Sequence, residues 1–508
     1  GRRLASRHVM VGNADAVVAL GEPASLWGHF ASVSSIPRPS KQETKVLEYI
    51  REFAEAKGLE WRQDSCGNLL VIRPGSGGGE NAEPVLLQGH VDMVCEKNAE
   101  TAHDFAADPI RLRVEGDWLR AAGTTLGADN GIGVAAALAV LELGGDARLP
   151  PLEALFTVDE ETGLTGAFGL DGSMISAKRM LNLDTEEFGN VYIGCAGGGN
   201  SVLEIQAPRV AAPASSAALE LRVRGLLGGH SGINIHEGRG NAVVMASTLA
   251  ADVLSRIPEA RLVSIEGGDK HNAIPREALA VVAVPEEALP AARQAVGARV
   301  SALKEEFGQL ETELAAGAEP AQRPVEEALS AADSARVLAA LRSLPHGVVK
   351  MSHAMEGLVE TSNNVASVHT SGSGVKIQLS TRSSLGSALE AARDRLQAIA
   401  DLAGGTLARG PVYPGWAPTP RAPLVGLTVS KLAARSGTKP KILAIHAGLE
   451  CGLLLEKCPC ITEAVSFGPT IVGAHSPDEA LEISTVRPFF EALLDILGDL
   501  ATPPSSSL

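Results

Sequence analysis

The sequence feature that most constrains the fold is a series of short apolar runs that alternate with helical patterns between residues 85 and 195. The apolar segments are at residues 85–88, 134–143, 153–158 and 180–183. Alternation of this kind is typical of a largely parallel sheet with helices packed around it. We therefore expect an α/β fold with a mostly parallel sheet and flanking helices. In open sheets of this type, ligands bind beyond the carboxyl ends of the strands.

The pattern changes after residue 197, where a second type of structure is expected. Residues 219–224 and 375–380 alternate strictly between apolar and polar side chains, which predicts a sheet with one solvent-facing side. Each of these strands is followed by an amphipathic helix. We expect a separate α+β domain over residues 197–400, inserted into the sheet domain, and its two strand–helix pairs allow two similar halves.

The rest of the chain is divided around this inserted domain. The apolar strand pattern resumes beyond residue 404, so the sheet domain is expected to have two parts. An Ala/Glu-rich segment of the inserted domain, Glu286 to Gln322, is expected to be helical. The expected divisions are an N-terminal extension at 1–20, the sheet domain at 21–196 and 401–500, the inserted domain at 197–400, and a flexible Pro/Ser-rich tail at 501–508.

Charge and cysteine content argue against several classes of function. The chain has 44 basic and 60 acidic residues and a net charge of −16, which disfavours nucleic acid or an anionic membrane as a partner. The six cysteines are scattered without a CxxC pair, so neither a disulfide framework nor a Cys-rich zinc site is indicated. We expect a protein of the reducing cytoplasm. The first residues are basic and lack an initiator Met, so a remnant of an organelle-targeting segment is an alternative.

Acidic and histidine side chains follow the apolar runs. His90 and Asp92 come directly after the first run, and residues two apart on an extended strand point to the same side. Four more groups follow strands or loops of the sheet domain: Asp129 in a glycine-rich turn, Asp159 to Glu161, Asp184, and His475. Taken singly, each acid is more typical of a helix cap or a surface charge. Acids that converge at one sheet edge repel unless cations neutralise them, and two histidines with three carboxylates suit zinc, manganese or cobalt.

Five long motifs carry a resemblance to known enzymes. They are Gly-His-Val-Asp-Met-Val from residue 89, Gly-Ala-Asp-Asn-Gly from 127, Asp-Glu-Glu-Thr-Gly from 159, Gly-Gly-His-Ser-Gly from 228, and His-Ala-Gly-Leu-Glu-Cys-Gly from 446. From about Pro37 to Glu479 the chain resembles the two-metal metallopeptidases of the aminoacylase and carboxypeptidase G type, and among them the aminoacyl-histidine dipeptidase branch. The resemblance implies that the sheet domain is a zinc-exopeptidase-like catalytic domain and that the inserted domain is its lid.

The resemblance also implies two divalent metal ions, with zinc as the expected metal and manganese or cobalt as alternatives. Asp129 would bridge the two ions. His90 and Asp184 would complete one site, and Glu161 and His475 would complete the other.

Three further features of the catalytic domain follow from the same resemblance. Asp92 would orient His90, and Glu160 would act as the general base beside the ligand Glu161. Neighbouring residues at a strand end point in different directions, so one carboxylate can bind metal while the next faces the attacking water. The peptide bond between Asp129 and Asn130 would be cis.

The inserted domain offers a second set of candidates. By resemblance, His230 would stabilise the developing oxyanion, and Asn272 would contact the substrate. Arg382 is the candidate for a bidentate clamp on a substrate carboxylate, with Arg239 as its competitor. Glu450 could pair with a free substrate amine, and a buried, salt-bridged glutamate is the alternative.

These assignments predict a dinuclear metal-dependent dipeptidase that hydrolyses unblocked dipeptides, including those ending in histidine. A deacylase of N-acyl amino acids is the alternative enzyme, and Glu450 discriminates between them because an acylated substrate has no amine cation. A metal-free binding protein on the same fold is disfavoured, since no ligand or general base is missing. A homodimer formed through the inserted domain is a further expectation.

Overall fold

The structure is a computed structural model that describes residues 13–321 and 325–502. Residues 1–12 of the expected N-terminal extension, Gln322 of the expected long helix, and residues 503–508 of the expected tail lie outside the described residues. None of the described helices is both long enough and apolar enough to cross a membrane.

The described residues form thirteen α-helices and three short 3-10 helices. The α-helices are α1 Asn13–Val18, α2 Ala24–Ser34, α3 Thr44–Ala56, α4 Ala128–Leu141, α5 Glu160–Gly163, α6 Thr165–Gly169, α7 Ala242–Arg256, α8 Leu289–Phe307, α9 Ala331–Ser343, α10 Gly386–Leu402, α11 Pro423–Ser436, α12 Glu450–Lys457 and α13 Ile483–Leu500. The 3-10 helices are Gly172–Met174, Ile235–Glu237 and Glu286–Ala288.

The same residues form twenty-five β-strands. They are β1 Glu60–Gln63, β2 Leu69–Arg73, β3 Val85–His90, β4 Leu112–Glu115, β5 Trp118–Ala121, β6 Leu152–Thr157, β7 Arg179–Asn182, β8 Asn190–Cys195, β9 Gly197–Gln206, β10 Arg209–Ala211, β11 Ser216–Arg224, β12 Gly229–His230, β13 Arg261–Gly267, β14 Ala273–Ile274, β15 Ala278–Pro285, β16 Ala315–Pro320, β17 Glu327–Leu329, β18 Gly347–Met351, β19 Val359–Thr370, β20 Gly374–Ser383, β21 Thr406–Tyr413, β22 Lys441–Ile445, β23 Glu463–Ser466, β24 Ile471–Val472 and β25 Ala480–Glu482.

The chain forms two compact units. The described part of the first unit comprises residues 13–193, 419–444 and 453–502. The described part of the second unit comprises residues 194–321, 325–418 and 445–452. In chain order the second unit therefore lies between segments of the first.

The first unit is built on a mixed sheet with the strand order β1-β2-β6-β3-β7-β23-β8-β22. Its central strands β6, β3, β7 and β23 run parallel. Strands β1 and β2 pair antiparallel, as do β2 with β6 and β23 with β8. The expected mostly parallel sheet is thus correct for the centre and wrong for the edges. Only five residues join β1 to β2, and so short a connection forms a hairpin, because a parallel crossover needs a dozen residues or more.

Burial in the first unit explains why these sequences form these elements. All six residues of β3 and all six of β6 are buried, as is typical of central parallel strands covered on both faces. Helix α4 is buried from Asn130 to Leu141 and rich in alanine. Small side chains let a helix pack closely on a sheet. The start of α4 lies beside the end of β3, where a Cβ at Gly89 would collide with the side chain of Asn130.

The second unit contains an antiparallel sheet with the strand order β16-β11-β15-β13-β19-β20-β9-β21. A ninth strand of the sheet, β18, also pairs with β19. The core contains apolar residues of β11, β15 and β20 together with helices α7 and α9. The alternation at 219–224 is visible as alternating burial, since Leu221 and Val223 are buried and Arg222 and Arg224 are exposed. The predicted sheet with one solvent-facing side is therefore present.

Two details of the second unit differ from expectation. The helix expected from Glu286 is α8, which ends at Phe307, and the Ala/Glu-rich chain then forms strand β16 against β11. Gly317 and Pro320 disfavour a helix in that segment, and pairing with β11 makes it a strand. The division expected at residue 400 also differs, because β21 pairs with β9 in the second sheet.

Candidate metal centre and substrate-binding residues

The candidate metal ligands of the first unit lie at the ends of neighbouring parallel strands. His90 is the last residue of β3, and it lies opposite Thr157, the last residue of β6. Asp184 follows β7 by two residues, and β7 is the other parallel neighbour of β3. Three adjacent strands therefore deliver their polar residues to one edge of the sheet.

Asp129 lies between the two histidines. Its Oδ1 atom is 3.0 Å from Nε2 of His90, and its Oδ2 atom is 3.2 Å from Nε2 of His475. His90 Nε2 is also 3.5 Å from Oδ1 of Asp184, whereas His475 Nε2 is 3.1 Å from Oε2 of Glu161. One carboxylate thus offers one oxygen to each of two groups of ligand atoms.

The turn at the start of helix α4 that carries Asp129 is tightly constrained. The peptide bond between Asp129 and Asn130 is cis, as the resemblance implied. Gly127 has a φ of 68°, and a Cβ there would lie 2.5 Å from the Nη2 atom of Arg38. A side chain at Gly89, next to His90, would collide with Oδ1 of Asn130. Both glycines of the motifs are therefore required by close approach.

Asp92 holds the turn that carries Glu160 and Glu161. Its Oδ1 accepts a hydrogen bond from the backbone N–H of Glu160 at 3.1 Å, and its Oδ2 accepts one from that of Glu161 at 3.2 Å. Oδ1 of Asp92 also lies 3.3 Å from Nδ1 of His90. Although burial raises the pKa of Asp92, its contacts with His90, Ser40 and the Glu160 N–H outweigh burial and bring it to about 2. Asp92 is therefore a buried carboxylate that fixes the backbone of Glu160 and Glu161 and lies beside His90.

Carboxylate oxygens of Glu160 and of Glu161 lie near the ring of His90. Ligand atoms of His90, Glu160 and Glu161 fall within 4.8 Å of one another. The groups His90–Asp129–Asp184 and Asp129–Glu161–His475 meet the same limit. Glu161 also belongs to the group with Asp129 and His475, whereas Glu160 belongs only to the group with His90. This difference favours Glu161 as the ligand.

The protonation of the two histidines reflects the surrounding carboxylates. Hydrogen bonds to Asp129 and Glu161 raise the pKa of His475 to about 11. Burial lowers the pKa of His90, but Asp184, Asp129 and Asp92 together raise it well above its ordinary value. Burial also raises the pKa of Asp184. A proton and a metal ion therefore compete for the same nitrogen atoms.

The residues present fit two divalent metal ions. The donors are imidazole nitrogens and carboxylate oxygens, which suit zinc, manganese and cobalt. Oε1 of Glu161 is buried and has no hydrogen-bond partner among the described residues. A buried carboxylate oxygen without a partner is costly, and a cation between the two groups would satisfy it.

The fourth acidic group, Glu43, Asp92 and Asp159, has a structural role instead. Glu43 accepts the backbone N–H of Asp159 at 3.0 Å, and Asp159 accepts from the hydroxyls of Thr162 and Thr165. Asp159 itself has a φ of 51°. These contacts hold the strained residue that precedes Glu160.

Sequence reasoning missed two charged residues that hold the metal-ligand turns. The buried guanidinium of Arg38 donates to the backbone oxygens of Val91, Asp92 and Gly127. Buried Glu479 accepts backbone N–H groups of the turn that contains Asp129. A lone buried charge such as Arg38 or Glu479 has no periodic signal in a sequence.

The candidate residue His230 belongs to the second unit, in strand β12. Its Nδ1 atom accepts hydrogen bonds from the backbone N–H groups of Gly232 and Ile233, at 3.2 and 3.0 Å. An Nδ1 atom that accepts is unprotonated, so the neutral ring carries its proton on Nε2. Burial, with the charge of Arg382, lowers the pKa of His230 to about 4. His230 is therefore a neutral donor through Nε2 at ordinary pH.

Arg382 lies in β20 of the second unit and is 7% exposed. Its Nη1 atom donates to the hydroxyl of Tyr413 at 3.0 Å, and its Nη2 atom is 3.5 Å from Nε2 of His230. The Nε atom is buried and has no hydrogen-bond partner within the described ranges. Arg382 is thus a buried cation with donor capacity to spare, next to His230.

The competing Arg239 is engaged elsewhere. Its Nε and Nη2 atoms lie 2.7 Å from Oε2 of Glu237, and its Nη1 atom donates to the backbone oxygen of Gly228 at 2.6 Å. This pairing favours Arg382 over Arg239 as the carboxylate clamp.

The other two candidates of the second unit have different surroundings. The backbone oxygen of Asn272 accepts from the N–H of Ser231 at 2.8 Å, and the side chain of Asn272 is exposed. Glu450 is 2% exposed, at the first position of α12. His446 begins the motif that contains Glu450, and its Nε2 atom lies 2.7 Å from the hydroxyl of Ser362. Burial, with Arg382, lowers the pKa of His446 to about 3.

Similarity to known proteins extends over most of the chain. The model of peptidase family M20/M25/M40 matches residues 86–499. The cytosol non-specific dipeptidase of Escherichia coli strain K12 is 39% identical over 480 residues, which cover 94% of this chain and 98% of that relative. The crystal structure of aminoacylhistidine dipeptidase from Vibrio alginolyticus has a TM-score of 0.90 and 41% identity, covering 94% of this chain and 97% of that one.

A more distant structure shares the fold alone. The aminopeptidase PepT of Bacillus cereus ATCC 10987 has a TM-score of 0.53 and 15% identity, with 94% of this chain and 98% of that chain covered. The family match spans most of the chain, and the similarity to the Escherichia coli relative spans nearly all of both proteins. The chain belongs to peptidase family M20/M25/M40.

Proposed function

We propose that this chain is a dinuclear metal-dependent dipeptidase that hydrolyses unblocked dipeptides, including those that end in histidine. The observation that carries the proposal is Asp129, whose two oxygens face two separate groups of His and carboxylate ligands. Membership of a peptidase family supports the reaction type. The dipeptidase names of the two similar relatives support the substrate class.

In this proposal His90, Asp129 and Asp184 would hold one ion, and Asp129, Glu161 and His475 would hold the other. Zinc is the first choice, with manganese and cobalt as alternatives that the donor set equally allows. Two divalent ions bound here would supply Lewis-acid chemistry, polarising the scissile carbonyl and making a water molecule more acidic.

The chain's own residues move the proton. Glu160 takes a proton from the attacking water and returns it to the nitrogen of the leaving amine as the C–N bond breaks. Asp92 fixes the backbone of Glu160, so that its carboxylate is preorganised for both transfers. The Nε2–H group of His230 donates to the carbonyl oxygen as negative charge develops on it.

The ends of the substrate are assigned to charged residues of the second unit. The buried fork of Arg382 binds the C-terminal carboxylate, and Glu450 pairs with the free amine. Asn272 contributes a further substrate contact. A dipeptide satisfies both charged ends, whereas a longer or blocked peptide leaves one of them unpaired.

The finer points of location and assembly belong to the same proposal. The Escherichia coli relative is named as a cytosolic enzyme, and we assign this chain to the cytoplasm on that likeness. We also propose a homodimer formed through the inserted second unit. Light scattering of the purified protein measures its molar mass and so tests whether it is a dimer.

A substrate panel tests the proposed function. The panel compares a dipeptide ending in histidine, a tripeptide of the same terminal residues, the N-acetyl dipeptide, and an N-acyl amino acid. We expect the free dipeptide to be cleaved best and the N-acetyl form hardly at all. Preferred cleavage of the N-acyl amino acid would instead identify a deacylase.

A further inference from the structure

A buried carboxylate joins the two loops that carry Asp129 and His475. Glu479 is 2% exposed and lies four residues after His475. Its Oε2 atom accepts from the backbone N–H groups of Leu126 and Gly127, at 2.7 and 2.9 Å. Its Oε1 atom accepts from those of Ala128 and Asp129, at 2.8 and 3.3 Å.

These four N–H groups need a partner from outside their own turn. They lie before and within the first turn of α4, where backbone donors have no partner inside the helix. The backbone of Asp129 and Asn130 also departs from helical geometry, which removes the regular pattern of the first turn. One carboxylate supplies acceptors for all four N–H groups, and its charge is favourable at a helix N-terminus.

The same residue ends the compact turn that contains His475. The backbone N–H of Glu479 donates to the oxygen of Ser476 at 3.0 Å, and the Ser476 hydroxyl donates to the oxygen of Gly473 at 2.7 Å. His475 itself has a φ of 63°, a conformation that persists in a non-glycine residue only when its surroundings fix it. The position of Glu479 therefore limits where both His475 and Asp129 can lie.

We propose that Glu479 is a positioning residue that holds Asp129 and His475 at the separation their shared metal ion requires. This inference rests on the proposed two-metal function. Glu479 belongs to neither of the proposed ligand groups. It acts through the backbone of the turn that presents Asp129.

Glu153 provides a matched control in the same unit. It is 5% exposed, and its carboxylate accepts from the backbone N–H groups of Ser176 and Ala177 at 3.0 Å. Like Glu479, it is a buried glutamate that accepts from backbone donors, and the hydroxyl of Ser176 is a further donor to it. Its partners precede β7, away from the residues assigned as metal ligands.

The experiment measures metal affinity and thermal stability separately. Metal-free wild type, E479Q and E153Q are titrated with Zn²⁺ against a chromophoric chelator, and the melting temperature of each metal-free protein is recorded. We expect both substitutions to lower the melting temperature. Only E479Q should weaken zinc binding, by about 10- to 100-fold, as is typical when a residue that orients metal ligands is lost.

The possible outcomes separate the inference from the function on which it rests. Equal zinc affinity in E479Q and E153Q, with two ions bound by wild type, overturns the role of Glu479 alone. Wild type that binds neither zinc nor, in the same titration, manganese or cobalt overturns the proposed function and this inference with it. If E479Q does not fold, E479D keeps the charge on a shorter side chain, and unchanged zinc affinity in that variant also overturns the inference.

Discussion

Replacement of Arg382 by alanine tests how the enzyme recognises the C-terminal end of its substrate. Arg382 is 7% exposed, and its buried Nε atom has no hydrogen-bond partner within the described part of the chain. A substrate carboxylate would accept hydrogen bonds from this guanidinium group. Removing one member of a buried, hydrogen-bonded charge pair costs about 2–5 kcal/mol. At about 1.4 kcal/mol per tenfold, this corresponds to a loss of roughly 30- to 4,000-fold in kcat/KM for a free dipeptide.

The assay compares a dipeptide with its C-terminal amide, measured by amine release. Wild type should prefer the free dipeptide by a factor within the same range, because the amide offers Arg382 no charge. R382A should lose most of that preference. The matched control is R239A, since Arg239 is already paired with Glu237 and Gly228 and its loss should leave the preference intact. A preference that survives in R382A but disappears in R239A would refute the assignment.

Three further predictions concern other residues of the two units. Glu160→Gln should lower kcat by about 10²- to 10⁴-fold with both metals retained, whereas Glu161→Gln should weaken metal binding; metal content and kcat measured together reveal whether the two roles are reversed. His230→Ala should lower kcat by about 10²- to 10³-fold with little change in KM, and an unchanged kcat would exclude it as the oxyanion donor. Burial lowers the pKa of His346 in the folded protein to about 4, below its ordinary value of about 6.5. Between these pH values the unfolded chain binds a proton at His346 that the folded protein does not. Its contribution to stability is complete above about pH 6.5 and is lost as pH falls towards 4, at up to about 1.4 kcal/mol per pH unit. Urea unfolding of His346→Gln should therefore depend less on pH in this window, and an unaltered dependence would contradict the burial argument.

The positions of His90 and Asp184 could be predicted because both residues lie at strand ends. A buried run such as Val85–Leu87 must be a central strand, and the polar residues that follow it must leave the sheet at its carboxyl edge. His90 and Asp184 satisfy this rule on neighbouring strands. The division of roles within Asp159–Glu161 came instead from family resemblance, because spacing alone does not say which carboxylate faces a metal.

Features that depend on distant partners could not be predicted. Strand β21 belongs to the second sheet because it pairs with β9, about 200 residues earlier in the chain. None of its residues is fully buried, and no apolar run in its sequence indicates this pairing. Strand β16 lies in an Ala/Glu-rich part of the chain and becomes a strand through its pairing with β11. Arg38 and Glu479 hold backbone groups of the metal-ligand turns, and single buried charges leave no periodic pattern.

The metal content of the active protein tests the central claim most directly. The purified chain is stripped with a chelator, titrated with zinc, manganese or cobalt, and assayed on a dipeptide while bound metal is counted by elemental analysis. The account predicts that chelation abolishes activity and that activity returns fully as two ions bind per chain. Full dipeptidase activity in protein that holds no transition metal, or full activity at one ion per chain, would contradict it.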